Sequence, residues 1–196
     1  MKDRPVRPVA APPGFVRIIG GRFKRSRLPV PSTPGLRPTP DRVRETLFNW
    51  LGARLDGWRC VDAFAGTGAL GLEAASRGAA EVVLVERERR VAEGLEATAG
   101  RLGADAVRVV RDDAIAWMSR AEPGRFDIVF LDPPFESALA APALAAALPL
   151  AAVDGAVYVE GPAPVSAPDG WVVHRRGHAG AVHFALLKRG PSAGPG

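Results

Sequence analysis

The sequence predicts an α/β fold: a seven-stranded, mostly parallel sheet covered on both faces by helices, with an antiparallel C-terminal hairpin and a small basic arm in front. Three observations predict it. From Cys60 onward, short apolar runs alternate with helix-length segments. A glycine-rich stretch, DAFAGTGALG at 62–71, follows the first of those runs. Basic charge gathers ahead of the alternation: residues 1–59 hold 13 Lys or Arg against 4 Asp or Glu, a balance of +9, whereas residues 60–196 hold 13 against 17, or −4.

At 196 residues the chain has the size of one domain with an arm. Residues 1–14 and 190–196, rich in Pro and Gly, can bury little and read as loose tails. The arm is expected over 15–40. Residues 15–19 alternate, Gly20-Gly21 follows, and 22–30 resumes, the pattern of a hairpin carrying Arg17, Arg22, Lys24, Arg25 and Arg27. The main domain is expected over 41–189. Thr39-Pro40-Asp41 opens its first helix, with Thr39 as N-cap, proline in the first turn and an acid favoured by the helix dipole. Val43, Leu47, Trp50, Leu51 and Leu55 share one face of that helix, and Arg42, Arg44 and Glu45 lie largely on the other. Strands are expected at RCVDAF, EVVLVE, AVRVV, FDIVFLD and AVYVE, beginning near 59, 81, 106, 126 and 156, with helices over 69–78, 87–103, 113–121 and 136–148. WVVHRR and VHFALLK, joined by a short Gly-containing link, read as the edge hairpin.

Composition excludes several classes. Cys60 is the only cysteine, so neither an internal disulfide nor a zinc site with several thiolates can form, and a reducing, cytoplasmic setting is expected. His174, His178, His183 and Tyr158 have no partners at metal or triad spacing and read as strand residues; no metal is expected. The chain start lacks an apolar signal segment. The longest apolar run, at 138–153, has 16 mostly alanine residues interrupted by Pro142 and Pro149, short of the roughly 20 that a membrane span needs. A clustered basic arm on an acidic body suggests a polyanion partner, most often nucleic acid.

Gly66, Gly68 and Gly71 satisfy G-x-G-x-x-G, and Glu86 closes the second strand 20 residues after Gly66, the layout of a nucleoside-binding crevice. Asp62 decides between ligands. A carboxylate at the end of the first strand repels a pyrophosphate at the helix N-terminus but suits S-adenosylmethionine, which presents an ammonium and a sulfonium there. The plain alternative is that Asp62 caps the loop and the glycines only pack helix on strand. At the third strand end Asp113 is placed to accept from an adenine amine; Asp112 could play that part, or both could simply begin a helix. Finally, FLDPPF at 130–135 ends an apolar strand in a carboxylate pinned by two prolines beside an aromatic ring.

With D-x-F-x-G-x-G, Glu86, Asp113 and DPPF in order on successive strand ends, the chain resembles class I S-adenosylmethionine-dependent methyltransferases, whose fold is Rossmann-like. RIIGG at 17–21, LRPTPDRVRETLFNWL at 36–51, DAFAGTGALGLEA at 62–74 and DPPF at 132–135 strongly resemble the RsmD family of bacterial methyltransferases, which modify the N2 amine of one guanine in 16S ribosomal RNA. The resemblance spans about residues 15–189. It implies that Asp62, Phe64, Gly66, Gly68, Glu86, Asp113 and Ala114 hold S-adenosyl-L-methionine. It also implies that the Asp132 carboxylate and Pro133 carbonyl accept the two amine hydrogens, that Pro134 fixes that carbonyl, and that Phe135 stacks on the base. Arg17, Arg22, Lys24, Arg25 and Arg27, with Arg37, Arg42 and Arg44, would hold phosphates rather than read bases. The implied partner is 16S rRNA in an assembling small subunit, with no membrane and no metal, and the expected working form is a monomer. One departure stands out: the family usually carries Gly-Arg where this chain has Arg25-Ser26. DPPF alone also occurs in amino methyltransferases of DNA, so a DNA adenine methyltransferase is the nearest alternative; a nicotinamide-dependent oxidoreductase and a non-catalytic RNA-binding protein are the alternatives from other classes.

Overall fold

A computed structural model describes residues 14–30, 40–134 and 138–191; Arg37, Thr39 and Phe135 lie outside the described residues. Strands β1 (Phe15–Arg17) and β2 (Arg27–Pro29) pair antiparallel, with Phe15 opposite Pro29 and Arg17 opposite Arg27. Their middle residues, Val16 and Leu28, are buried, so one face of the ribbon joins the core and the other meets solvent. In the turn between them Arg25 sits at φ +71, the one non-glycine residue in the left-handed region among the described residues. This is the position at which the resembled family carries glycine. A side chain there costs about 1–2 kcal/mol.

Helix α1 (Asp41–Leu51) starts one step differently from the expectation. Pro40 occupies the N-cap position rather than the first helical one; its carbonyl accepts from the Val43 and Arg44 amides, and no side chain among the described residues caps the helix. The helix stops at Gly52 (φ +98), so Leu55 is buried beyond its end. The buried face is Val43, Arg44, Leu47 and Phe48, with Trp50 and Leu51 half-buried.

The body then runs β3 (Arg59–Asp62), α2 (Ala69–Ser76), β4 (Glu81–Glu86), α3 (Arg89–Leu102), β5 (Val107–Arg111), α4 (Ala114–Met118), β6 (Phe126–Leu131), α5 (Ala140–Ala147), a 3-10 turn (Leu148–Leu150), β7 (Ala151–Gly161), β8 (Trp171–Ala179) and β9 (Val182–Arg189). The seven strands lie in the order β5-β4-β3-β6-β7-β9-β8. The first five in that order are parallel, and β9 pairs antiparallel with both β7 and β8. The expected mostly parallel sheet with its antiparallel hairpin is the observed architecture. The helix expected over 136–148 covers only 140–147, and β7 begins five residues earlier than its apolar core at 156. The reason lies at Gly155: a Cβ there would stand 2.9 Å from both the Phe126 carbonyl and the Ala152 amide, so this stretch packs backbone to backbone along β6, with a register shift between Phe126 and Ile128.

Each sheet face has its own core. Phe130, Tyr158 and Phe184 join Leu47 and Phe48 of α1, Leu72 of α2 and the arm's Val16 and Leu28 on one side; Val129, Val157 and Leu187 join Met118 of α4 and Ala143 of α5 on the other. Helix α2 is buried almost all round because it has the sheet below and the arm above. It sits close: a Cβ on Gly71 would fall 2.2 Å from Leu84 Cδ2, so only glycine lets helix and strand meet at this distance. Among the described residues, no helix is long and apolar enough to cross a membrane.

Candidate active site

In open α/β sheets ligands lie beyond the carboxyl ends of the strands, where the strand order reverses. Here that point is β3, which has β4 on one side and β6 on the other. Asp62 ends β3, Glu86 ends β4, Asp113 follows β5 and Asp132 follows β6, so the fold gathers four carboxylates of distant sequence along one edge.

The loop from β3 to α2 spends its amides internally. The Gly66 amide donates to Glu86 Oε2 (3.1 Å), the Gly71 amide to Asp62 Oδ2 (3.0 Å), Gly68 to the Ala65 carbonyl, and Ala65 to the Val85 carbonyl. A pyrophosphate seated on this turn would need such amides and would meet the carboxylates instead. The donor set fits a cationic nucleoside such as S-adenosylmethionine. Glu86 also accepts from the Glu88 amide, and its remaining lone pairs stay available to a vicinal diol. Gly66 (φ +50) and Gly68 (φ +73) hold the left-handed turn. Phe64 is half-buried against the α4 side of the sheet, and Ala114 is buried as the first residue of α4. Asp113 is exposed and caps α4, its Oδ1 accepting from the Ala116 amide, while Asp112 is committed to Arg120. That division separates the two acids that the sequence leaves equivalent.

Asp62 is only 2% exposed. Burial above all, with the charges of Asp132 and Glu86, pushes its carboxyl up to about 7, against the Gly71 and Phe64 amides that pull it down. Unfolded, the group titrates near 3.9. Between those values the folded chain holds a proton that the unfolded chain has released. The stability contributed by Asp62 is therefore full below about pH 4 and is lost as the pH rises through about 7. Asp62→Asn, which keeps an acceptor for Gly71, should flatten this fall; urea midpoints at about pH 5 and about pH 8 should differ less in the variant than in the parent chain.

After β6, Asp132 is half-buried, Pro133 buried and Pro134 exposed. Pro134 bars its predecessor from the helical region, so the Pro133 carbonyl has a fixed direction. The β6–β7 register sets Phe130 beside Tyr158 and Leu131 beside Val159, so the next residues along, Asp132 and Glu160, follow on adjacent strands. Buried Glu160 accepts from the Tyr158 hydroxyl at 2.9 Å, a pairing the sequence reading missed although the i, i+2 spacing puts both on one strand face.

The arm docks through a second missed group. Glu73 of α2 accepts from the Ile19 and Gly20 amides at 2.7 and 2.8 Å, and Ser76 bonds Gly20, Arg22 and Phe23. A Cβ on Gly21 would fall 1.8 Å from the Ser76 carbonyl, so the paired glycines of RIIGG lay the chain flat on α2. The signal was available: ALGLEAAS is a helix whose one acid lies among small apolar residues, and Arg77 follows it by four. Arg17, Arg22, Lys24, Arg25, Arg27 and Arg42 are exposed, as phosphate contacts must be. Arg44 is not. Its guanidinium is fully buried, with Nη2 donating to Asp41 (2.7 Å) and to the Arg17 carbonyl (2.9 Å), and Nη1 3.6 Å from Glu73. The expectation that Arg44 holds phosphate is corrected: it joins the arm to α2 and α1. It was misplaced because Val43 and Leu47 define the buried stripe, which the arm then widens to cover Arg44.

The family model described as conserved hypothetical protein 95 matches residues 16–188. The chain is 42% identical over 185 residues to ribosomal RNA small subunit methyltransferase D of Escherichia coli (strain K12), covering 90% of this chain and 91% of that protein. The chain belongs to the RsmD family. A further RsmD-family relative, ribosomal RNA small subunit methyltransferase D of Haemophilus influenzae, is 36% identical over 182 residues, or 89% of this chain and 94% of that protein. The solved structure of the putative methyltransferase yhhF from Escherichia coli superposes with a TM-score of 0.80 at 42% identity, over 90% of this chain and 98% of that one. The RsmD-family sheet and glycine loop described above are those of a class I, Rossmann-like methyltransferase fold.

Proposed function

We propose that this chain methylates the exocyclic N2 amine of a guanine in small-subunit (16S) ribosomal RNA, using S-adenosyl-L-methionine. The observation that most supports this is the rigid Asp132-Pro133-Pro134 turn on the strand next to a loop whose amides are committed to carboxylates. An amine-holding acid thus faces a crevice suited to a cationic cofactor. The names of the RsmD relatives, ribosomal RNA small subunit methyltransferase D, point the same way. The exposed arm cations offer the polyanion surface.

The lone pair of an exocyclic amine is delocalised into its ring, so the amine must be turned and held. Asp132 and the Pro133 carbonyl accept hydrogen bonds from its two N–H groups, which favours a pyramidal nitrogen with its lone pair directed at the methyl group. Phe135 stacks on a base brought out of its own stack. Glu86 would bind the ribose hydroxyls and Asp113 the adenine amine, with Phe64 and Ala114 also contacting the cofactor; Gly66 and Gly68 would allow close approach, and Asp62 would set the negative potential. When bound, S-adenosylmethionine supplies an electrophilic methyl carried on a sulfonium. Asp132 takes up the proton that the nitrogen loses once its bond to carbon has replaced the carbon–sulfur bond. Orientation of this kind supplies about 7–11 kcal/mol in well-aligned systems. Arg17, Arg22, Lys24, Arg25, Arg27, Arg37 and Arg42 hold phosphates of an assembling small subunit in the cytoplasm, and the working form is a monomer.

Labelled S-adenosylmethionine should mark small subunits from cells lacking the enzyme, and not duplex DNA or tRNA. Mass mapping should then place the label on one guanine of the 16S RNA. Label in DNA alone would sink the assignment.

A further inference from the structure

We propose that Phe15, flanked by Arg17 and Arg27, forms a platform on the outer face of the arm on which an unpaired base of the RNA stacks. This rests on reading the arm as the RNA-contacting element and adds to it a contact with a base rather than a phosphate.

The ribbon register builds the platform. Val16 and Leu28 point into the core, which turns Phe15, Arg17, Arg27 and Pro29 outward together. Phe15 is 45% exposed, and it is the one aromatic among the large apolar side chains left exposed in the described residues; the others are Val153 and Val172. The Arg27 Cζ lies 4.3 Å from its ring centroid and the Arg17 Cζ 5.4 Å. An exposed cation–π contact stabilises a fold weakly, and a two-stranded ribbon gains little from a ring on its wet face. A protein partner would need apolar surface wider than one ring, whereas the neighbours here are cations. Single-stranded RNA fits both features. Every base has a π-face that stacks on a ring or a guanidinium plane, and its phosphates meet the charges alongside.

The arm is also firmly placed. The Ile19 and Gly20 amides on Glu73, and the Ser76 contacts, fix it to α2, the helix that the glycine loop of the candidate cofactor crevice leads into. A base held on Phe15 is therefore held at a set position relative to that crevice.

The test is a titration of single-stranded RNA carrying 2-aminopurine with the full chain at several salt concentrations. Phe15→Ala should weaken binding by about 5- to 100-fold and remove the fluorescence quenching that stacking produces. Phe15→Leu, which keeps apolar bulk without a π-face, should behave like alanine, and Phe15→Trp should restore both signals. The salt dependence should stay the same in all three, because no phosphate contact is lost, whereas Arg27→Ala should make it shallower. Unchanged affinity and quenching in a folded Phe15→Leu would overturn the platform, as would a shallower salt dependence in that variant. Methylation of small subunits, assayed alongside, separates the two claims. A parent chain that quenches the RNA yet methylates no subunit supports the platform and removes the substrate assignment.

Discussion

Asp132→Ala should lower methyl transfer by about 10²–10³-fold or more while cofactor affinity stays nearly unchanged. The crevice has two separate sides. Asp132 follows β6, whereas the glycine loop and Glu86 belong to β3 and β4, and the Gly66–Glu86 and Gly71–Asp62 bonds that hold the loop do not involve it. The charge of Asp132 is one of the influences raising the Asp62 carboxyl, so its removal lets Asp62 ionise more readily, which for a cationic cofactor tightens binding if it changes it at all. The substrate side loses both an acceptor for the amine and the group that takes its proton. Asp132→Asn keeps one acceptor oxygen without the charge and should fall between the two. Single-turnover transfer from labelled S-adenosylmethionine to small subunits, paired with calorimetric titration of the cofactor, measures both effects. Transfer within a few-fold of the parent chain in Asp132→Ala would show that the turn does not hold the amine.

What the sequence made legible depended on whether a signal was local. The strands over 81–86 and 126–131 are runs of Val, Ile and Phe whose burial on both faces is written in their composition, and they appear within a residue of where they were expected. The glycine loop was legible because a left-handed turn and a close helix approach admit few residues, and Gly68 and Gly71 meet those two needs separately. The end of the alanine run was not legible. Alanine favours helix whatever follows, and the early start of β7 is fixed by Gly155 against the Phe126 carbonyl, a contact between segments about thirty residues apart. Arg25 shows the converse: the departure from the family's glycine was visible, but that the chain keeps the left-handed turn under an arginine was not. The charge cluster was legible only in its local half: Glu73 and Arg77 are four residues apart, whereas Arg44 reaches Glu73 from α1 and bonds the arm's Arg17 carbonyl.

That cluster makes the second large prediction. Arg44→Ala should destabilise the fold by about 3 kcal/mol, the low end of the cost of breaking a buried ion pair. The low end applies because Glu73 keeps Arg77 at 2.8 Å and two arm amides, so its charge is not stranded. What is lost is the Arg44 bridge to the Arg17 carbonyl and to Asp41, together with the packing of the largest fully buried side chain. Arg44→Lys should recover little, because one ammonium cannot span acceptors on three segments as a planar guanidinium does. Arg42, two residues away and exposed, supplies the contrast. Arg42→Ala should change stability by less than about 0.5 kcal/mol yet weaken RNA binding and make its salt dependence shallower by about one phosphate contact. Urea unfolding and salt-dependent RNA titration of both variants read the two properties separately. If Arg44→Ala kept its unfolding midpoint and lost RNA affinity in the manner of Arg42→Ala, the guanidinium would have to leave the core to meet phosphate, and the arm would have to lift from α2 for it to do so.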